Sequence, residues 1–177
     1  MDYIHFHAPS HPALMQWQSP INNESEIAKI PPCLLAAIVW RETGGVNELQ
    51  IGVPTGPGCG VGLTQITSNV DWSNISDPTY AGYHIYTKPA DNLYVAAAYY
   101  LAPLLASAAR AQRDYPAEFT VSCHGQQVVF VAAGYNAGLG AVQNAMAQGV
   151  DVDIFTTNGY AADCLSKYES LVAESHA

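Results

Sequence analysis

Apolar residues in this chain recur at helical rather than strand spacing, in blocks divided by proline and glycine. Ser19-Pro20 has the N-cap and N1 pairing of a helix start, and Pro31-Pro32 marks where that helix should end. Pro32 opens the next helix, a nearly continuous apolar run that closes on Glu42. Residues 52–62 hold five Gly and two Pro, which predict a loop or a short β-hairpin. Asp91 is the expected N-cap of a long helix reaching about Gln112, delimited upstream by Pro89. Its apolar residues Leu93, Ala96, Ala97, Tyr100, Leu101 and Leu104 keep the helical period. Asp114-Tyr115-Pro116 breaks it. Residues 126–136 are strongly apolar with little polar surface and read as a buried central helix. Gly138-Leu139-Gly140 allows a tight turn into a helix over 141–148, and a last helix is expected over 160–172. Residues 1–18, with three His and two Pro, lack periodicity and read as an arm packed on the domain. The expected fold is mainly α: one helical domain over residues 19–177, with a small β-hairpin beside the helix that ends at Glu42.

Composition narrows the function. A chain of 177 residues, 49% hydrophobic, fits one domain with a substantial core. The net charge is −9, and six Lys plus Arg form no basic cluster, which argues against a nucleic-acid partner. The same charge gives no electrostatic grip on an anionic polymer, so binding must rest on a shaped cleft. The longest apolar run, residues 128–133, is far short of a transmembrane helix. The first seven residues have neither the positive n-region nor the apolar h-region of a secretory signal. Cys33, Cys59, Cys123 and Cys164 are widely spaced without a C-x-x-C pattern, leaving two disulfides or four buried thiols open. His5, His7 and His11 make a His-rich arm of the kind that is usually plain surface, and no metal site is expected from them. The Gly-rich loop lacks Gly-Lys-Ser/Thr and the strand–turn–helix context of a dinucleotide fingerprint, so no cofactor is expected.

The candidate chemistry starts at Glu42, which is followed at once by Thr43-Gly44-Gly45. A carboxyl group at the end of a buried helix is partly desolvated, which raises its pKa and keeps a proton on it for general acid work. Taken alone, a solvated Glu capping a core helix explains the same segment. Cys123-His124 are adjacent in sequence, where side chains point apart, and no G-x-S-x-G supports a serine triad.

Downstream segments change the balance. Glu42-Thr43, then Gly62-Leu63-Thr64-Gln65, then Gly134-Tyr135-Asn136-Ala137-Gly138, then Tyr160 form an ordered set that resembles the motifs of the soluble lytic transglycosylase catalytic domain, related to goose-type lysozymes. The helix from Asp91-Asn92 to Tyr100-Leu101 resembles that family's Asn-led helix ending in Tyr-Leu. The resemblance covers roughly residues 30–171 and implies a lysozyme-like fold.

It also implies a reaction. In the family one Glu protonates the oxygen between N-acetylmuramic acid and N-acetylglucosamine, then takes a proton from the C6 hydroxyl, which closes a 1,6-anhydro ring. Glu42 takes that role here. By the same resemblance Thr43, Gly62, Leu63, Gln65, Tyr135, Asn136 and Tyr160 bind or line the substrate. Gln65 would hydrogen-bond the sugar, Gly62 would let the backbone approach it, and Tyr160 would orient Glu42. Thr43, Thr64 and Gly134 depart from the family's Ser, Met and Ala, and Thr64 removes an apolar surface from the sugar cleft.

The expected partner is therefore peptidoglycan glycan strands, met by a monomer acting on the bacterial cell wall, with a phage or prophage lysis setting one fit to the signal-less start. The alternatives are a goose-type-like hydrolase and a catalytically idle wall-binding or virion structural domain. A hydrolase needs a base for water. Goose-type lysozymes carry an Asp two residues after the Gln of the second motif, where this chain has Thr67. Residues 51–65 contain no Asp or Glu, and Glu48 and Asp71 are the nearest carboxylates in sequence. The resemblance thus favours the intramolecular route.

Overall fold

Helices built on these apolar blocks pack against a central one over Gln127–Ala137, in a computed structural model that describes residues 3–46, 60–67 and 88–177. Their order is α1 (Pro12–Met15), α2 (Gln18–Ala28), α3 (Pro32–Thr43), strands β1 (Gly60–Val61) and β2 (Ile66–Thr67), α4 (Pro89–Val95), a π-helical stretch (Ala96–Leu101), α5 (Ala102–Asp114), α6 (Pro116–Cys123), α7 (Gln127–Ala137), α8 (Leu139–Gln148), a 3₁₀ turn (Val152–Phe155) and α9 (Tyr160–Ser175). The domain is mainly helical. The hairpin expected over 52–62 falls mostly outside the described residues. What is present lies later: a single antiparallel pairing, Gly60 with Thr67 and Val61 with Ile66.

Every side chain of α7 from Val128 to Gly134 is buried, as its unbroken apolar sequence requires. Helix α9 lies against both α7 and α3. Cys33 at the start of α3 meets Ser175 at the end of α9 (3.6 Å), while Glu42 at the end of α3 meets Tyr160 at the start of α9 (2.5 Å). The two helices are therefore antiparallel, and their packing brings the last turn of one to the first turn of the other. Helix α3 is buried over residues 32–39 and emerges only in its final turn. Gly44 closes it in the left-handed conformation at φ 65°, where glycine carries no Cβ penalty.

Several element boundaries differ from the sequence expectation. Ser19 lies inside α2, whose N-cap is Trp17, and the helix ends at a left-handed Lys29 before the prolines. Asp91 is not an N-cap: Pro89 itself occupies the first turn of α4 behind Lys88, so the proline starts the helix rather than delimiting it. Pro116 does the same for α6, which the broken period concealed. Residues 89–114 form one helical run of 26 residues, long and apolar enough by length and composition to cross a membrane. Here Leu93, Val95, Ala96, Ala97, Leu101 and Ala108 are buried within the protein core.

The N-terminal segment is anchored at both ends. Phe6 and Ala8 are fully buried, and Phe6 exchanges two hydrogen bonds with the Asn22 carboxamide (2.7 and 3.1 Å). The His arm meets a carboxylate: Ser10 Oγ donates to Glu174 (2.5 Å) and His11 Nε2 lies 3.2 Å from it. Further along, Gln16 and Trp17 Nε1 both donate to Gly45 O (3.0 and 2.9 Å), bracing the chain just after Glu42. Cys33, Cys123 and Cys164 are buried free thiols. Cys59 lies outside the described residues.

Candidate active site

Glu42 stands half-buried at the end of α3. Tyr160 Oη donates to its Oε1 at 2.5 Å, and Oε2 makes no hydrogen bond to the described residues. Burial pushes the carboxyl pKa above its ordinary 4.5, opposed by the Tyr160 hydrogen bond and the Arg41 charge, with burial the larger effect. The Tyr160 hydroxyl is driven far upward by burial and by the facing carboxylate, so it remains a donor throughout the working range. Arg41 sits over the Tyr160 ring, 5.0 Å from its centroid, and is held 3.1 Å from Asp163 one turn along α9. One oxygen of Glu42 is thus oriented by the Tyr160 phenol.

The four segments singled out in sequence are tied to one another by direct bonds. Thr43 Oγ1 donates to Leu63 O (3.0 Å), joining the first to the second. Tyr135 Oη donates to Thr64 O (2.7 Å), joining the third to the second. Asn136 Oδ1 accepts from the Thr157 backbone N–H (2.9 Å), joining the third to the approach of Tyr160. Tyr160 closes the ring on Glu42. Three of these four bonds use a side chain against a backbone group, which fixes the segments relative to one another.

The surroundings of the remaining expected site residues differ from one to the next. Thr43 is 7% exposed and Leu63 fully buried, and the bond between them supports the turn from beneath. Gly62 does sit at a close approach, at φ 74°, but to protein: a Cβ there would overlap the Asn92 carboxamide. Gln65 also has a positive φ, 51°, and its Nε2 donates to Gly62 O (2.9 Å), folding the side chain across its own turn. Asn136 is exposed, and Tyr135 is half-buried with its ring edge-on to Tyr100, centroids 5.9 Å apart. The side chain of Thr67, with Glu48 and Asp71, lies outside the described residues.

Other residues matter to which the sequence reading assigned no site role. Asn92 is fully buried, and its Oδ1 accepts from both Thr64 N (3.1 Å) and Thr64 Oγ1 (2.8 Å). It therefore holds the turn that carries Gln65. Tyr100 lies in the π-helical stretch, a feature often found at functional sites. Its hydroxyl is buried without a hydrogen-bond partner among the described residues, and burial pushes its pKa up to about 12. Asp153 caps the helix that presents Tyr160. A sequence signal existed for Asn92 and Tyr100, through the Asn-led helix ending in Tyr-Leu, and none for Asp153. A cavity of about 550 Å³ opens elsewhere, between α5, α6 and α8, against Arg110, Tyr115, Phe130 and Met146, and includes none of the site residues. Among the described residues, no group of three or more His, Cys, Asp or Glu is placed to hold a metal ion.

Residues 19–157 match the model of the transglycosylase SLT domain, and the chain belongs to that family. A search of curated proteins finds no match. Membership assigns the chain to the glycan-degrading transglycosylases, with peptidoglycan as substrate and the cell wall as place of action. The match stops short of Tyr160, so the fourth segment rests on its own geometry.

Proposed function

We propose that this protein is a lytic transglycosylase that breaks the β-1,4 bond between N-acetylmuramic acid and N-acetylglucosamine, with Glu42 as its single acid and base. The observation that carries the reading is the Glu42 carboxyl group: half-buried, with a raised pKa, bonded to one phenol, and with no second carboxylate among the described residues bearing on its ionisation. Protonated Glu42 gives its proton to the bridging oxygen, and the C1–O bond breaks with oxocarbenium character at C1. The resulting carboxylate, held by Tyr160, takes the proton of the C6 hydroxyl as that oxygen bonds to C1. The acid is regenerated, and the product carries a 1,6-anhydro ring.

Water competes poorly in this scheme. Activating it calls for a second carboxylate roughly 6.5–9.5 Å from the acid in an inverting enzyme. The C6 hydroxyl belongs to the same sugar and sits beside C1 at high effective concentration. Gln65, Tyr135 and Asn136 are the residues proposed to line the glycan. Gln65 reaches it by exchanging its Gly62 bond, and its Oε1 accepts a sugar hydroxyl.

Mass spectrometry of muropeptides released from purified sacculi tests the proposal. The products should be about one water, roughly 18 Da, lighter than reducing-end products of hydrolysis. A product set dominated by reducing ends would establish a hydrolase and make Asp71 or Glu48 the candidate base. Failure to release any glycan would leave a wall-binding domain.

A further inference from the structure

Tyr160 is the first residue of α9, and what fixes it lies outside that helix. A helix start leaves its first N–H groups without intrahelical acceptors. The N-cap here is Gly159, at φ 61°, which has no side chain to offer. The preceding 3₁₀ turn supplies the acceptors instead. Asp153 takes the Ala161 N–H at Oδ1 (2.8 Å) and the Ala162 N–H at Oδ2 (2.9 Å). Thr156 Oγ1 accepts the Tyr160 N–H (3.1 Å) and donates its own proton to Asp153 Oδ1 (2.6 Å). Asp151 steadies the turn by accepting the Asp153 N–H (2.8 Å). All the amide bonds that set the first turn of α9 thus run to Asp153 directly or through Thr156, apart from Asp163 N–H to Gly159 O (3.0 Å). The carboxylate also suits the positive end of the helix dipole.

We propose that Asp153 is a positioning residue for the Glu42–Tyr160 pair, holding the start of α9 so that the Tyr160 hydroxyl meets Glu42. The proposal rests on the reading of Glu42 as the working acid. Among the described residues, the titratable or charged groups that act on Glu42 are Arg41 from α3, Tyr160 and Cys164 from α9, and Tyr135 from α7. Asp153 is not among them. The bonded path from Asp153 to Glu42 in the structure runs through the first turn of α9 and Tyr160.

The decisive experiment is a carbon-13 NMR titration of the Glu42 carboxyl group, run alongside turnover of sacculi. It compares wild type, Asp153→Ala, Asp153→Asn, Tyr160→Phe and the double variant Asp153→Ala/Tyr160→Phe. Asp153→Ala should move the Glu42 titration upward, in the same direction as Tyr160→Phe. It should also lower kcat about tenfold with KM little changed, within the roughly hundredfold that an ångström of misplacement costs. Asp153→Asn keeps one acceptor oxygen and should fall between wild type and Asp153→Ala. The double variant should be no slower than Tyr160→Phe alone, because both changes break one link. If Asp153→Ala leaves the Glu42 titration at its wild-type position, or lowers kcat by the same factor in the Tyr160→Phe background, the proposal is overturned. If Asp153→Ala does not fold, Asp153→Asn decides, and a wild-type titration in it refutes the proposal. Since NMR reads Glu42 whether or not glycan is cleaved, an inactive wild type would sink the functional reading while the titration still judged Asp153.

Discussion

Replacing Tyr160 by Phe removes one oxygen from a side chain that is 3% exposed, and leaves the ring, its packing and the Arg41 contact in place. The lost bond is 2.5 Å long and runs to a carboxylate. Hydrogen bonds to charged groups contribute about 1.5–3 kcal/mol, against about 1 kcal/mol for neutral pairs. Two consequences follow with definite sign. The bond favours ionised Glu42, so without it the carboxyl pKa rises further, and the alkaline limb of activity moves to higher pH. The carboxyl also loses its orientation, which should lower kcat about 10- to 100-fold. Stability should fall by about 1–3 kcal/mol where Glu42 is ionised and by less where it is protonated. Turbidity loss of purified sacculi, followed across pH with thermal melts at the same values, reads all three. A variant with the wild-type rate and an unmoved alkaline limb would show that Tyr160 only packs, and the reasoning would fail.

Other outcomes can be checked in parallel. The raised pKa means folded Glu42 holds its proton more tightly than the unfolded chain does, so stability falls as pH rises from about the ordinary 4.5 through the folded value. Glu42→Gln should therefore melt higher than wild type near neutral pH, with the difference vanishing in acid; an unchanged difference across pH would refute the linkage. Gly62→Ala places a methyl against Asn92 at φ 74° and should cost about 3 kcal/mol or more, seen as a lower Tm in calorimetry. Thr43→Val removes the hydroxyl bonded to Leu63 O and should cost about 1–2 kcal/mol in chemical denaturation, whereas Thr43→Ser should be nearly neutral. Phe6→Ala should cost about 3–5 kcal/mol, because that fully buried ring anchors the N-terminal segment; a melt like wild type's would show the segment to be dispensable.

How much of this was legible in sequence depended on whether the signal was local. Helices α3 and α7 were plain, because a strongly apolar run with little polar surface has nowhere to go but the core. Helix α6 was hidden by Pro116, which reads as a breaker yet is well suited to a first turn, where its missing N–H costs nothing. The Glu42–Tyr160 pairing was accessible only as a resemblance, since 118 residues separate the two. The antiparallel packing of α3 on α9 is what brings them together. Gly62 was noticed as a place of close approach through the resemblance, but that the Asn92 carboxamide lies against its bare Cα could not be read from sequence. Asp153 gave no signal at all. Helix caps are sought immediately before the helix, and this one acts on Ala161 from eight positions upstream through an intervening 3₁₀ turn.

The claim on which the rest depends is that Glu42 performs the proton transfers, and the loss of glycan cleavage in Glu42→Gln tests it most directly. Gln keeps the size of the side chain and can still accept the Tyr160 hydrogen bond, so the variant should fold and melt at or above the wild-type temperature. Release of soluble glycan from purified sacculi should fall by about 10²–10⁴-fold, the range general acid–base catalysis supplies. A well-folded Glu42→Gln protein that still solubilises sacculi at a substantial fraction of the wild-type rate would contradict the account.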